Sequence, residues 1–210
     1  MHEELKEQLR NIAVKYNGKD FRKVLERIKK ERINDNGLLE SLESISLNRF
    51  REKVSFSISV TSGNILEIIL TITGIVLAFS NLHLAIYLSA LILMTSLHPL
   101  SHYLAGRLAG IKFTHYYLNG PARIEPTLRI DHVSYLKASG RKRAMMHVSG
   151  VIGTMAAPLL CAGVAIYKGV SEASLNLFIF FVLLIVFELL TSTKIGDLMK
   201  AKREFNYQRK

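Results

Sequence analysis

Four long apolar runs dominate the chain after its first 60 residues. They cover residues 64–80, 82–106, 144–167 and 173–193. A helix of about 20 residues is needed to cross a hydrocarbon core of about 30 Å, and each run comes close to that length or exceeds it. The pattern therefore predicts a mainly α, polytopic membrane protein with about four transmembrane helices.

The first 53 residues follow a different pattern, in which apolar positions such as Leu5 and Leu9 return at helical spacing among charged ones. Asn17-Gly18 and Asp35-Asn36-Gly37 interrupt this pattern, and Asp20 is a candidate N-cap. This part is therefore predicted to form three short amphipathic helices, over residues 3–15, 20–33 and 38–53.

Between the second and third apolar runs lies a polar loop, residues 107–143, with two extended arms. The arms, residues 112–118 and 122–131, flank the chain-breaking sequence Asn119-Gly120-Pro121. Apolar and charged residues alternate in the second arm, which is typical of a half-buried strand. We predict a β-hairpin at the cytoplasmic membrane surface, followed by a short helix or turn over residues 132–143.

Charge is segregated along the chain. Charged residues make up 21% of the sequence, yet Glu67 is the only Asp, Glu, Lys or Arg between Val54 and Gly106. The loop of residues 107–143 holds eight Lys and Arg against two acids, and the tail from Lys194 holds six against two. Because cytoplasmic loops carry an excess of Lys and Arg, both termini and this loop are predicted to be cytoplasmic.

This topology also accounts for the net charge of +11, so we predict no nucleic-acid partner and expect contact with the lipid bilayer. The chain is divided into a cytoplasmic amphipathic helical segment, residues 1–55, a membrane domain, residues 56–200, and a basic cytoplasmic tail, residues 201–210. The single Cys161 excludes an intrachain disulfide. The sequence predicts no oligomeric state.

The candidate chemistry lies near the end of the second run, where His98 and His102 are four residues apart. Such residues share one face of a helix, so the pair can offer two imidazoles to one metal ion. Ionisable groups inside a membrane suggest a functional site. With the predicted orientation, Asp197 lies at the same depth as the histidines. Two imidazoles and one carboxylate leave one tetrahedral position open, which is typical of a catalytic zinc.

These motifs resemble the site-2 protease family of intramembrane zinc metalloproteases, over residues 82 to about 200. The family places HExxH on a transmembrane helix; here residues 98–102 are HPLSH, followed by Ala105 and Leu108-Ala109-Gly110-Ile111. Residues 149–154 echo its small-residue stretch. The resemblance implies that Asp197 is the third metal ligand, that zinc is the cofactor, and that a membrane-protein or peptide segment is the substrate or client.

The chain departs from the family at Pro99, which stands where the family has the Glu that accepts a proton from zinc-bound water. General-base catalysis is typically worth about 10²–10⁴ in rate, so we expect proteolysis to be weak or lost. Glu188 is a candidate substitute base, although a continuous helix would place it on the opposite face from Asp197. Pro99 also removes the amide that would bond to Thr95, which predicts a kink beside the histidines.

The hairpin suggests how a substrate is held. An exposed strand edge can add an extended peptide through backbone hydrogen bonds, and sheet pairing presents an unwound substrate to the metal in the family that the chain resembles. The alternative is a structural cover over the site. The predicted substrate-binding residues are Gly120, Pro121, Ala122, Arg123 and Ile124.

Two other functions stay open at this point. A haem-binding four-helix electron carrier would use His98 or His102 with His147 as axial ligands, although two histidines four residues apart on one helix cannot both be axial to one haem. In a non-catalytic membrane scaffold, the histidines would only pack or form interhelical hydrogen bonds, and the N-terminal helices would bind the partner.

Overall fold

The computed structural model describes residues 2–120, 125–191 and 196–207. Its architecture is mainly helical, with long apolar helices, a small antiparallel sheet beside them and a set of N-terminal helices. In chain order, the elements are α1 His2–Val14, α2 Gly18–Glu31, α3 Asn36–Lys53, β1 Ser57–Ser59, α4 Val60–Ala78, α5 His83–Leu108, β2 Phe113–Asn119, β3 Glu125–Ile130, α6 His132–Lys137, α7 Gly140–Tyr167, α8 Ser171–Thr191 and α9 Asp197–Asn206.

The four apolar runs are confirmed as helices α4, α5, α7 and α8, each long and apolar enough to cross a membrane. Helices α4 and α7 begin before the apolar runs, because Ser59 and Ser139 cap polar first turns. Large apolar side chains such as Val76 and Phe187 point outward on these helices and are more than 60% exposed. An apolar surface of this extent is typical of a face that contacts lipid.

The predicted N-terminal helices are confirmed as α1, α2 and α3, which we call the N-terminal unit. The side chains of Asn17 and Asp35 cap α2 and α3 by accepting hydrogen bonds from backbone amides. The prediction that Asp20 caps a helix is wrong, because α2 begins at Gly18 and Asp20 lies in its first turn. The unit encloses a core of aliphatic side chains, formed by Leu5, Leu9, Ile12, Val24, Ile28, Ile33, Leu38, Leu39 and Leu42.

Helices α5 and α7 approach each other closely at two glycines of α7. A methyl group added to Gly153 would lie 2.6 Å from the Leu97 carbonyl oxygen, and one added to Gly150 would collide with the His102 ring. Small residues allow helix backbones to come together in this way. The contact therefore places the predicted histidine pair directly against α7.

The predicted hairpin is confirmed as β2 and β3, and a further strand joins it. Tyr116 of β2 lies opposite Leu128 of β3, while Ser57 of β1 pairs with Tyr117 on the other side of β2. Strand β1 was not predicted, because three residues are too few to show an alternating pattern. The order β1-β2-β3 leaves β3 at one edge of the sheet, and α6 confirms the short helix expected after it.

Helix α9 follows the last apolar helix and was not predicted. The expected boundary between residues 200 and 201 falls inside it. Ala201 and Glu204 are buried, and α9 packs against α7. Residues 201–206 therefore belong to a helix that packs against the membrane helix α7.

Replacing Gly153 by Ala is expected to destabilise the protein, because the added methyl group cannot fit between α7 and α5. Overpacking of this kind costs about 1–3 kcal/mol. Thermal denaturation of the purified protein in detergent measures the effect. Gly163→Ala is the matched control, since a methyl group at Gly163 has no neighbouring atom within 4 Å. Equal stability of the two variants would contradict the close helix contact.

Candidate metal centre

The three predicted ligands meet at one point, although they lie on two separate elements. His98 and His102 are one turn apart on α5, and Asp197 is the first residue of α9. Nε2 of His102 lies 3.0 Å and Nε2 of His98 lies 3.5 Å from Asp197 Oδ2. The candidate ligand atoms all lie within 4.8 Å of one another, so this group could bind a metal ion.

Hydrogen bonds to α7 fix the tautomers of both imidazoles. Nδ1 of His102 lies 2.7 Å from the Met146 carbonyl oxygen, which only accepts, so this nitrogen carries the proton and donates. Thr154 donates its hydroxyl proton to a carbonyl one turn earlier in α7, and its oxygen therefore accepts from Nδ1 of His98, 2.9 Å away. In both rings Nδ1 carries a proton and Nε2 points at Asp197.

The result is three acceptor atoms that face one another. Two Nε2 lone pairs and the Oδ2 atom of Asp197 converge, and none of the three brings a proton of its own when the imidazoles are neutral and the carboxylate is charged. A cation, either a proton or a metal ion, has to lie between them. Histidines that bind metals almost always donate their second ring N–H to a neighbouring group, as both histidines do here.

The second oxygen of Asp197 is held from the other side. Lys200 donates to Oδ1 at 2.9 Å, and Nδ1 of His147 lies 3.7 Å from the same atom. Burial by itself would raise the pKa of the Asp197 carboxyl. When a proton rather than a metal ion lies between Asp197 and His102, hydrogen bonds from His102 and His147 and the charge of Lys200 outweigh burial and lower this pKa well below its usual range. Asp197 is therefore a charged carboxylate that is only 11% exposed.

The site opens into a cavity of about 160 Å³. Pro99 and Met146 contribute to its wall from the helices, and Pro126, Thr127 and Leu128 contribute from β3. Because β3 is the edge strand of the sheet, the edge borders the space beside the ligands. Helix α5 continues through Pro99, and the kink expected there stays a prediction.

Of the predicted substrate-binding residues, the structure describes only Gly120. Gly120 follows β2 with a φ of 74°, which glycine adopts without strain. Asn119 and Glu125, which pair with each other across the hairpin, line the cavity. The turn end of the hairpin therefore borders the candidate metal centre. Pro121, Ala122, Arg123 and Ile124 lie outside the described residues.

Glu188 and Asp197 do not share one continuous helix, so the opposite-face argument does not apply to this pair. Helix α8 ends at Thr191, and Asp197 begins the separate helix α9. A methyl group on Gly196 would lie 3.8 Å from Glu188 Oε1, so the carboxylate reaches the residue next to Asp197. Glu188 is not one of the residues that line the described cavity.

The sequence analysis assigned no role to Thr154, and it named His147 as an axial ligand in the haem alternative. In the structure, Nε2 of His147 lies 3.1 Å from the Tyr135 hydroxyl and forms a hydrogen bond with it. His147 and Thr154 are seven residues apart on α7 and therefore lie on one face. That spacing was a usable signal for a polar face directed at the histidine pair, whereas no local pattern marks Tyr135 as a neighbour of His147.

Comparison of the chain with protein-family models, curated proteins and solved structures finds no match. The chemistry of the site is therefore inferred from the sequence motifs and from the geometry of the residues that form it.

Thr154→Val is expected to weaken metal binding about 10- to 100-fold, the usual effect of removing a partner that orients a metal-binding histidine. Valine has a similar shape but cannot accept the proton of His98 Nδ1. Thr154→Ser keeps the hydroxyl group and should bind like the wild type. Calorimetric titration of each variant with Zn²⁺ measures the affinities, and equal affinities for valine and threonine would show that this hydrogen bond does not orient the ring.

Proposed function

We propose that the protein is an integral membrane zinc protein in which His98, His102 and Asp197 hold the ion. The observation that carries the proposal is the convergence of two imidazole Nε2 atoms and one carboxylate oxygen. Both imidazoles already donate their Nδ1 protons to groups of α7. A metal ion satisfies all three atoms at once. A packing role for the histidines would leave the same three atoms to share a single proton inside the protein.

Zinc is the favoured ion because its usual ligands are imidazole nitrogens and carboxylate oxygens in a tetrahedral arrangement. Three protein ligands leave the fourth position open toward the cavity, which is the arrangement of catalytic rather than structural zinc. Bound zinc would lower the pKa of a coordinated water to about 7 and polarise a carbonyl group. The residues present here fit such an ion, and the second oxygen of Asp197 is held by Lys200.

The four apolar helices support a location of this centre in a membrane domain, and the distribution of Lys and Arg supports the orientation. With both termini and the loop of residues 107–143 on the cytoplasmic side, the metal centre lies near the cytoplasmic ends of α5 and α8. Its cavity then opens toward the sheet and the cytoplasm. Water and an extended peptide can reach the ion from that side.

In this proposal the protein is similar to the site-2 proteases. The histidine pair lies on an apolar helix, the third ligand follows a break between two helices, and the small-residue stretch of α7 packs against the pair. The geometry therefore supports the parts of the resemblance that concern metal binding. Pro99 offers no general base, so peptide hydrolysis is weak or lost, and binding of a membrane-protein or peptide segment is the favoured activity.

Strand β3 supplies a place for such a segment. It is the edge strand of the described sheet, and its residues line the metal cavity. An extended chain that paired with this edge would gain backbone hydrogen bonds next to the ion. The proline at position 126 has no backbone N–H, so pairing would depend on the neighbouring residues of the strand.

The geometry does not favour haem. The cavity of about 160 Å³ is smaller than the roughly 300–1,000 Å³ of pockets that enclose drug-sized ligands, and a haem is at least as large. The Asp197 carboxylate also lies near both of the proposed axial ligands, with Oδ2 3.0 Å from Nε2 of His102 and Oδ1 3.7 Å from Nδ1 of His147. It therefore takes up space that a haem would need. The scaffold hypothesis is disfavoured by the converging acceptor atoms.

Purified protein is expected to contain about one zinc ion per chain. His102→Ala and Asp197→Asn should reduce the zinc content strongly, because each removes one of three ligands. Elemental analysis by mass spectrometry after extensive dialysis measures the content. His83→Ala is the matched control, since His83 lies at the opposite end of α5 and should leave the zinc content unchanged. Zinc-free wild-type protein that also fails to take up added Zn²⁺ would overturn the proposed function.

Pro99→Glu is expected to create or increase peptide hydrolysis, because it places a carboxylate between the two histidines on α5. A gain of about 10²–10⁴ over the wild type corresponds to the usual effect of a general base. Cleavage of a fluorescently labelled single-span peptide in detergent measures the rate. Pro99→Ala separates this effect from the loss of the proline ring. A zinc-loaded Pro99→Glu protein without activity would show that more than the base is missing.

A further inference from the structure

A buried carboxylate connects the N-terminal unit to the membrane helices. Glu204 of α9 is 1% exposed. Its Oε1 accepts a hydrogen bond from Lys29 of α2, and its Oε2 accepts one from Arg143 at the start of α7, at 2.6 Å. Both cations are themselves only 5% exposed. Three elements that are distant in sequence therefore share one buried ion-pair network.

The surroundings of this network keep all three groups in place. Lys29 and Arg143 both lie over the ring of Tyr135, at 4.9 and 5.4 Å from its centroid. Burial by itself would raise the pKa of Glu204, but the charges and hydrogen bonds of the two cations outweigh burial and lower it. Glu204 is therefore a charged group that needs both partners, because a buried charge without its partner is unfavourable.

The network acts on the helix that carries a metal ligand. Asp197, Ala201 and Glu204 are spaced i, i+4 and i+7 along α9, so all three lie on one face. Ala201 is buried on that face, and Asp197 and Glu204 stand at its two ends. A contact that fixes Glu204 at one end of this face therefore limits the rotation of α9 about its own axis and, with it, the directions open to the Asp197 carboxylate at the other end.

The same pattern repeats at the other wall of the cavity. Glu43 of α3 accepts hydrogen bonds from Arg129 of β3, at 2.7 Å, and from the backbone amide of His132 in α6, at 2.9 Å. The N-terminal unit is thus bound both to the strand that lines the cavity and to the helix that brings the third ligand. The buried core of the N-terminal unit contains no residue of the membrane helices. The hydrogen bonds of Lys29 and Glu43 therefore connect the unit to the elements that surround the site.

We propose that the N-terminal unit is a positioning element of the metal centre, and that Lys29 and Glu204 are its positioning residues. Their ion pair holds α9 in the rotation that directs Asp197 toward His98 and His102. This inference rests on the proposed metal site. It assigns the cytoplasmic helices a direct effect on metal affinity, although none of their residues touches the ligands in the described structure.

The test compares the full-length variants Lys29→Met, Lys29→Arg and Lys30→Met in detergent, with Co²⁺ as the probe. Lys29→Met removes the charge but keeps most of the volume, and it should weaken Co²⁺ binding at least tenfold and change the visible absorption spectrum of the bound ion. Lys29→Arg keeps the charge and should restore both. Lys30→Met is the matched control, because Lys30 is the exposed neighbour of Lys29 on the same helix.

The outcomes separate this inference from the proposed function. Wild-type protein that binds no Co²⁺ would overturn the metal site itself. Wild-type affinity and spectrum in Lys29→Met, or an equal loss in Lys30→Met, would overturn the positioning role alone. If circular dichroism shows that Lys29→Met does not fold, Glu204→Gln decides by the same two readouts, because glutamine keeps the shape of the side chain and removes its charge.

Discussion

The contact between α5 and α7 is the constraint on which the remaining structure depends. Gly150 and Gly153 let the two backbones come so close that the His102 ring rests against α7. At that distance Thr154 and the Met146 carbonyl reach the two imidazoles. The same contact therefore packs the helices together and assigns the ring protons. A wider helix spacing would leave the histidines on α5 but without the neighbours that direct their free nitrogens.

The candidate metal centre combines two ligands from a long helix with one from a short helix. His98 and His102 lie inside a long helix, where their spacing is fixed by the helical repeat. Asp197 begins a short helix, in which Lys200 donates to its carboxylate and Glu204 accepts a hydrogen bond from Arg143 of α7. Pro99 takes the position next to the first histidine without interrupting the helix. The described residues thus bring three candidate metal ligands together and have a proline between the two histidines.

The sequence was sufficient for those features that are encoded locally. The apolar runs, the hairpin and the histidine pair each follow from spacing within one segment, and the structure contains all three. Two elements could not be predicted in this way. Strand β1 is too short to show a pattern. Helix α9 lies in a segment that resembles a charged tail, because the partners of its buried carboxylate are on α2 and α7. The groups around Asp197 were also not predictable from one segment, since His147 and Tyr135 become neighbours only after folding.

Strand β1 runs into α4 without a loop, because Ser59 ends the strand and Val60 begins the helix. The first turns of α4 are also fastened to the sheet, where Gly63 packs under the Tyr116 ring and Asn64 accepts its hydroxyl proton. Helices tilt to match the thickness of the bilayer. Because no loop separates β1 from α4, a tilt of α4 would move the sheet with it. The angle of α4 is therefore coupled to β3, the strand of the same sheet that lines the cavity beside His98 and His102.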